Sequence, residues 1–295
     1  MGLSFLYNEY KEVRMYQSIQ EGGNVMTFKI GFSAEEKKEN PAREVKQETK
    51  VEVKPKPSLV DIRFPDIYRS YTYYNDSFDL HEGDTVFVDG KLEGVAGKVV
   101  AVSYNFKIKL SDYKRVISVA DTDVKGQLYF HKVKVVSFDP ATIPFGKIAS
   151  WYFPPTDPED IVSGEDDSTI LLDKPETWKA DIDPSEYEDI DDYLGVVYLS
   201  LDNGAGKAIV KEKNYHAVEF FYQNGEISKL TCDCYSAGMC EHEVAVLFEL
   251  RHKLKWIDEN YADEFLKTSY FAELDKAAFC NMVLMSRQNG SFQIG

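Results

Sequence analysis

The sequence predicts an α+β protein assembled from several units in series: a small β-barrel, a ββ-metal-loop-α module and a helical C-terminus. Three observations carry that prediction. Short runs of Val, Ile and aromatic residues, punctuated by Gly and Asp, fill residues 59–150. Three cysteines and a histidine stand between a hairpin signature and an amphipathic run. Apolar residues recur at helical spacing from Trp256 to Met285. With 295 residues, 43% of them hydrophobic and 14% aromatic, the chain can bury two or three cores, which excludes global disorder.

Residues 1–34 read as a small aromatic head, with Phe5, Tyr7, Tyr10, Tyr16, Phe28 and Phe32. Tyr7, Tyr10 and Arg14 have helical spacing, Gly22-Gly23 breaks it, and Val25 to Phe32 is strand-like. The start lacks the basic and apolar regions of a signal peptide, and Leu6 stands where myristoylation needs Ser or Thr. Residues 35–58 hold thirteen charges, three prolines and no aromatic, so they bury too little apolar surface to offset their ordering entropy. They read as a solvated linker, or as an arm that orders in an assembly and supports wrapping or homo-oligomerisation.

Residues 59–150 form the expected β-rich unit, with runs over Phe64–Phe78, Asp84–Asp89, Gly97–Tyr104, Phe106–Leu110, Val116–Val119 and Gln127–Phe138. The stretch HEGDTVFVDGKLEGVAGKVVAVS resembles the opening of a small SH3-like barrel of the KOW type, where a glycine-rich turn between strands allows the curvature of closure. Such barrels occur in both nucleic-acid-binding and protein-binding proteins. Residues 151–194 form an acidic segment that includes Trp151, Trp178, Tyr187 and Tyr193; Asp183, Pro184 and Glu186 mark a helix start within it. Residues 195–256 read as strands, a hairpin, a metal loop and a helix. Residues 257–295 read as helices, with Phe265, Leu266, Phe271, Leu274, Phe279 and Leu284 as the apolar period and Cys280 as a small core residue.

The formal charge of −16 is concentrated. Residues 157–193 carry fifteen Asp and Glu against two Lys, a net of −13, whereas residues 98–134 carry eight Lys and Arg against three Asp, a net of +5. So acidic a chain is repelled by bare phosphate, which argues against non-specific nucleic-acid binding by the whole protein. No apolar run reaches the ~18 residues of a membrane span. Three of the four cysteines lie within nine residues, which points to a metal and a reducing, cytoplasmic setting instead of a disulfide framework.

The chemical signal lies in YHAVEFFYQNGEISKLTCDCYSAGMCEHEVAVLFEL. Tyr215 to Tyr222 alternates as a strand, Asn224-Gly225 is a two-residue hairpin turn, and Glu226 to Thr231 returns. Cys232 and Cys234 end the hairpin; Cys240 and His242 begin a helix that turns Val244, Ala245, Leu247 and Phe248 to a core. Three thiolates and an imidazole form the closed tetrahedral set that structural Zn2+ takes, with no position left for substrate. Cysteines at i and i+2 of a strand seldom reach disulfide geometry, and a helix N-terminus favours the Cys240 thiolate. The pattern C-x-C, loop, C-x-H, helix resembles the SWIM zinc finger, with Ala245 as its small residue and a short five-residue loop. The resemblance covers about residues 210–255 and implies zinc, together with DNA, RNA or protein contacts. His216 reads as packed or exposed and not as a ligand; His81, His131 and His252 lack company that suggests chemistry.

No catalytic set is expected. Gly94 to Lys98 is too short for a phosphate loop, and the dinucleotide fingerprint and the nucleophile elbow are missing. Pro65-Asp66 with Asp112-Tyr113-Lys114 matches a metal-dependent nuclease pattern in the wrong context. The expected function is that of a non-enzymatic interaction protein. Its acidic residues Asp166, Asp167, Asp181, Asp183, Glu186, Glu188, Asp189, Asp191 and Asp192, with Trp178 and Tyr187 as anchors, would imitate a nucleic-acid strand and bind a protein with a basic surface. That suits an inhibitor that occupies the DNA-binding face of a nucleic-acid-processing complex, of the type phages use against host defences. The alternatives are an accessory protein contacting nucleic acid through Lys107, Lys109, Lys114, Arg115, Lys132 and Lys134 with the zinc finger, and a regulatory subunit of an enzyme.

Overall fold

Alternation of apolar residues in the first strands sets up one small core. In the computed structural model, which describes residues 55–65, 67–105, 113–155, 168–180, 195–234, 236–286 and 290–294, five antiparallel strands form the first sheet. They are β1 (Ser58–Arg63), β2 (Ser70–Asn75), β3 (Thr85–Val88), β4 (Gly97–Ser103) and β5 (Val116–Val119), ordered β2-β1-β4-β3-β5. Val60, Ile62, Val86, Val88, Val99 and Val116 point into a shared core with Phe64 and Tyr73. The sheet curls until its ends meet: Tyr74 of β2 bridges Arg115 just before β5, and the Tyr74 N–H donates to the Lys114 carbonyl at 2.8 Å. Gly97 is required by the curl, since a Cβ there would lie 2.4 Å from Ile62 Cγ2.

A nine-stranded sheet takes up the rest: β6 (Lys125–His131), β7 (Lys134–Ser137), β8 (Ile170–Leu171), β9 (Gly195–Asp202), β10 (Ala205–Lys211), β11 (Tyr215–Gln223), β12 (Glu226–Cys232), β13 (Tyr270–Asp275) and β14 (Ser291–Ile294). Its order is β14-β6-β7-β13-β9-β10-β11-β12-β8, antiparallel except for β14 beside β6. The helices are α1 (Phe145–Ala149), α2 (Glu241–Asn260), α3 (Ala262–Thr268) and α4 (Lys276–Phe279), the last continued by one π-type turn over Cys280–Leu284. Strand parity sorts the sheet into two faces. Val136, Leu199, Leu201, Ala208, Val210, Val218 and Phe271 meet Val244, Leu247, Phe248 and Leu250 of α2. Their neighbours Val135, Tyr198, Ile209, Ala272 and Leu274 meet Ile148, Trp151, Phe279 and Val283 on the other side. Among the described residues no helix is long and apolar enough to cross a membrane.

Several expectations are corrected here. The helical reading of 257–295 fails at β13, the strand that joins β7 to β9. Both faces of β13 are covered, so its apolar run is nearly continuous and local periodicity cannot separate it from a buried helix. β6 and β7, inside the expected 59–150 unit, pair towards β13 in the second sheet. Cys280 is exposed, because Phe279 and Val283 are the pair that turns inward. The 1–34 head, most of the 35–58 linker, the Phe106–Leu110 run and the Asp183 helix start lie outside the described residues.

Across the α2 face runs a buried charged chain. Lys253 of α2 and Glu273 of β13 are 1% and 0% exposed, with Lys253 Nζ 2.6 Å from Glu273 Oε2. The same ammonium donates to His131 Nδ1 at 2.7 Å, and the His131 ring stacks on Trp256 with centroids 4.3 Å apart. Burial, followed by the charges of Lys253 and Lys132, lowers His131 to about 4, so it accepts as the neutral ring. Burial, with the Glu249 carboxylate next, raises Glu273 to about 8, although Lys253 and Lys134 oppose the rise. Glu273 therefore holds a proton in the folded chain across a window, from its ordinary 4.5 up to about 8, in which the unfolded chain has lost it. Its contribution to stability is full below that window and is lost as pH rises through it. Urea unfolding should show the parent losing more stability than Glu273→Gln between about pH 5 and pH 8; parallel pH profiles would contradict this.

Candidate metal centre

Local sequence rules build the site. Asn224 and Gly225 take φ of 51° and 86°, closing β11 onto β12 with Gln223 opposite Glu226. A register shift between Glu219 and Phe221 brings Cys232, the last residue of β12, opposite Val218. The Asp233 N–H then donates to the Ala217 carbonyl at 3.1 Å, which carries the pairing one step past the strand and turns Cys234 into the loop. Cys240 caps α2. Its N–H donates to Glu243 Oε2 at 2.8 Å, and its sulfur accepts the Glu243 backbone N–H, a reciprocal capping box with cysteine in the place of serine.

These turns bring all four expected ligands together. One ligand atom each from Cys232, Cys234, Cys240 and His242 lies within 4.8 Å of the others, a set that can hold a metal ion. His242 is 4% exposed and presents Nδ1 to the sulfurs, 3.7 Å from Cys240 Sγ and 3.8 Å from Cys232 Sγ. None of the three cysteines is in a disulfide. A hydrogen bond from Cys232, then one from His242 and one from the Glu243 backbone, hold Cys240 at about 3 against the effect of burial. The Cys240 bond, followed by burial, pushes Cys232 up; burial raises Cys234; and the bond to Cys240 raises His242. The three sulfurs thus share negative charge in a tight space, which a divalent cation relieves by displacing the protons.

Sequence reasoning missed the shell around these ligands. His216 packs against His242 with centroids 4.2 Å apart and the rings tilted by 32°, and its Nδ1 lies 2.9 Å from Asp233 Oδ1. The other Asp233 oxygen accepts the Ala217 N–H at 3.0 Å. Glu212, in the β10–β11 turn, places Oε2 3.6 Å from His242 Nε2. A partial signal for His216 was present: a count back from the Asn224-Gly225 turn puts it opposite Asp233, and the one-residue shift of the actual ladder still leaves the two as neighbours. Glu212 had none, because it reaches the site from a different hairpin.

The other expected site residues are placed as follows. Asp166, Asp167, Asp181, Asp183, Glu186, Tyr187, Glu188, Asp189, Asp191 and Asp192, and also Lys107 and Lys109, lie outside the described residues. Trp178 is a core residue and not a surface anchor: it is 5% exposed, packs on Phe248, and donates its Nε1–H to the Leu171 carbonyl at 2.8 Å. Ala180 bridges Met239, the residue before Cys240. Lys114 is exposed, as is Arg115, which pairs with Asp76 at 3.1 Å. Lys132 is exposed in the β6–β7 turn, and the half-buried Lys134 donates to the Val196 carbonyl.

No family model, curated protein or solved structure matches the chain.

Removing a ligand should loosen what the cluster joins. In Cys232→Ser or His242→Ala, amide exchange should accelerate in β11, β12 and the first turns of α2, while β1 to β5 keep their protection. Equal loosening of both sheets would show that the cluster has no such local role.

Proposed function

We propose that the protein is a non-enzymatic, zinc-stapled interaction protein whose acidic segment binds a partner with a basic surface. Zinc is supported by geometry and by donor chemistry. Bonds of about 2.3 Å to sulfur and 2.0 Å to nitrogen at the tetrahedral angle separate S from N by about 3.5 Å. The two separations here are 3.7 and 3.8 Å. Three thiolates and one imidazole fill the tetrahedron, so the ion is structural and no position is left for substrate. The resemblance of residues 210–255 to a SWIM zinc finger, and of residues 81–103 to the opening of an SH3-like barrel of the KOW type, belongs to the same reading.

One observation carries the partner assignment. The last described residue before the acidic stretch that starts at Asp181 is Ala180, and it pairs with Met239, directly before Cys240, so that stretch begins beside the metal loop. Trp178 fixes that point by burying its ring against α2. A tethered polyanion offers a basic surface what a DNA strand offers it: closely spaced negative charge and fast electrostatic capture. A partner that normally holds DNA fits this description, and the protein would act by occluding its DNA-binding face. The competing nucleic-acid reading has weaker support, since Arg115 is already paired and Lys134 is turned to the backbone of β9.

Two measurements separate these readings. The full chain should leave labelled duplex DNA unbound at about 50 mM salt as well as at about 200 mM. Immobilised, it should retain a host protein that added DNA releases and that a chain with the 157–193 carboxylates changed to amides does not retain. DNA binding that weakens steeply with salt, or equal retention by the neutralised chain, would overturn the proposal.

A further inference from the structure

His242 turns Nδ1 to the three sulfurs, so the ring atom that carries the proton in the metal-bound state is Nε2. That nitrogen is buried and has no hydrogen-bond partner, in a residue 4% exposed. A buried N–H calls for an acceptor. Glu212 Oε2 stands 3.6 Å away, a few tenths of an ångström beyond hydrogen-bond distance, and its side chain is 39% exposed and so free to close the gap. The ring's face is set separately: His216 lies against it, and Asp233 holds His216 through Nδ1 while Ala217 holds Asp233.

We propose that Glu212 is the positioning carboxylate of the metal centre, accepting Nε2–H of His242 so that Nδ1 keeps its lone pair on the ion, with His216 as the platform under the ring. The inference rests on the metal reading above and deepens it. Metal-bound histidines commonly donate their second N–H to a carboxylate, which fixes the tautomer and raises ligand basicity. The same contact ties the β10–β11 turn to the ion, although none of the four ligands lies in that turn. The atoms of Glu212, His216 and His242 also lie within 4.8 Å of one another, which raises the question of a second ion. The neutral His242 ring has no lone pair left on Nε2 once Nδ1 is bound, and His216 Nδ1 is committed to Asp233. One carboxylate and one nitrogen remain, too few for a protein-held zinc site.

The test uses the full chain loaded with zinc and titrated with a colorimetric chelator. The parent should bind one equivalent. Glu212→Ala should bind about 10–100-fold more weakly, and Glu212→Gln, which keeps an acceptor oxygen, should recover most of the loss. Cobalt substituted for zinc should show undiminished thiolate charge-transfer bands in both variants, because three sulfurs remain. The Nε2–H resonance of His242 should move in Glu212→Ala and return towards the parent position in Glu212→Gln. Equal affinity of parent and Glu212→Ala would overturn the role given to Glu212 and leave the metal reading intact. Loss of a second zinc equivalent in Glu212→Ala would replace it with an ion site. A parent chain that binds no zinc would overturn both.

Discussion

The convergence of Cys232 with Cys240 and His242 decides how a hairpin and a helix meet. β12 and α2 are consecutive in the chain, but the hairpin end and the helix start must each turn towards one point, with only a short loop between them. Apolar burial alone would hold α2 on the sheet, since Val244, Val246, Leu247 and Leu250 are fully covered. Burial is non-directional, however, and would tolerate a helix shifted along its axis. Four ligands on fixed backbone positions would not, once an ion joined them. An apparent binding free energy of about 10–16 kcal/mol for a structural zinc in finger peptides at neutral pH is as large as the ~5–15 kcal/mol by which whole domains are stable. Filling such a site would couple the local fold of the module to the metal, while the first sheet stands on its own separate core.

The described part of the acidic segment, residues 168–180, is tied down at the same point. Trp178 was legible as an aromatic among charges and was read as an anchor for a partner. Instead, its indole is spent on the core, under α2 and against the Leu171 carbonyl. In a stretch this rich in charge, residues 168–180 need an apolar foothold to stay on the fold. Two short pairings provide it, β8 on the edge of β12 and Ala180 on Met239, both on elements that frame the metal.

What the sequence made legible is what is local. The Asn224-Gly225 turn, the strand ending at Cys232 and the capping position of Cys240 all follow from residues within a few positions of one another, and the four ligands follow from them. β13 was hidden because its partners lie far away in the chain and both its faces are covered, which erases the alternation that marks a strand. Glu212 was hidden because an exposed carboxylate in a turn looks like any other until the fold carries it to His242. The exposure of Cys280 depends on which of two adjacent residues faces inward, and the π-type turn that decides it has no strong sequence mark.

The charged chain behind α2 obeys the same logic from the opposite direction. Lys253 lies on a helix face that is apolar there apart from Glu249 one turn earlier, and a lone lysine would be costly to bury. It is tolerated because two strands each bring a partner, Glu273 from β13 and His131 from β6, and the helix itself adds the Trp256 ring, which lies 5.0 Å from the ammonium. None of these is near another in sequence except Trp256. Apolar residues of similar volume would fill the space at no loss of stability and often with a gain. What they would not do is favour one placement of α2 over another. The ammonium meets both Glu273 and His131 in a single register, at the end of the helix away from the cysteines. A metal held by the four candidate ligands would fix the other end. A helix fixed by directional contacts at both ends and by dispersion between them has one seat on the sheet, and the position of the metal loop, with Ala180 paired beside it, follows from that seat.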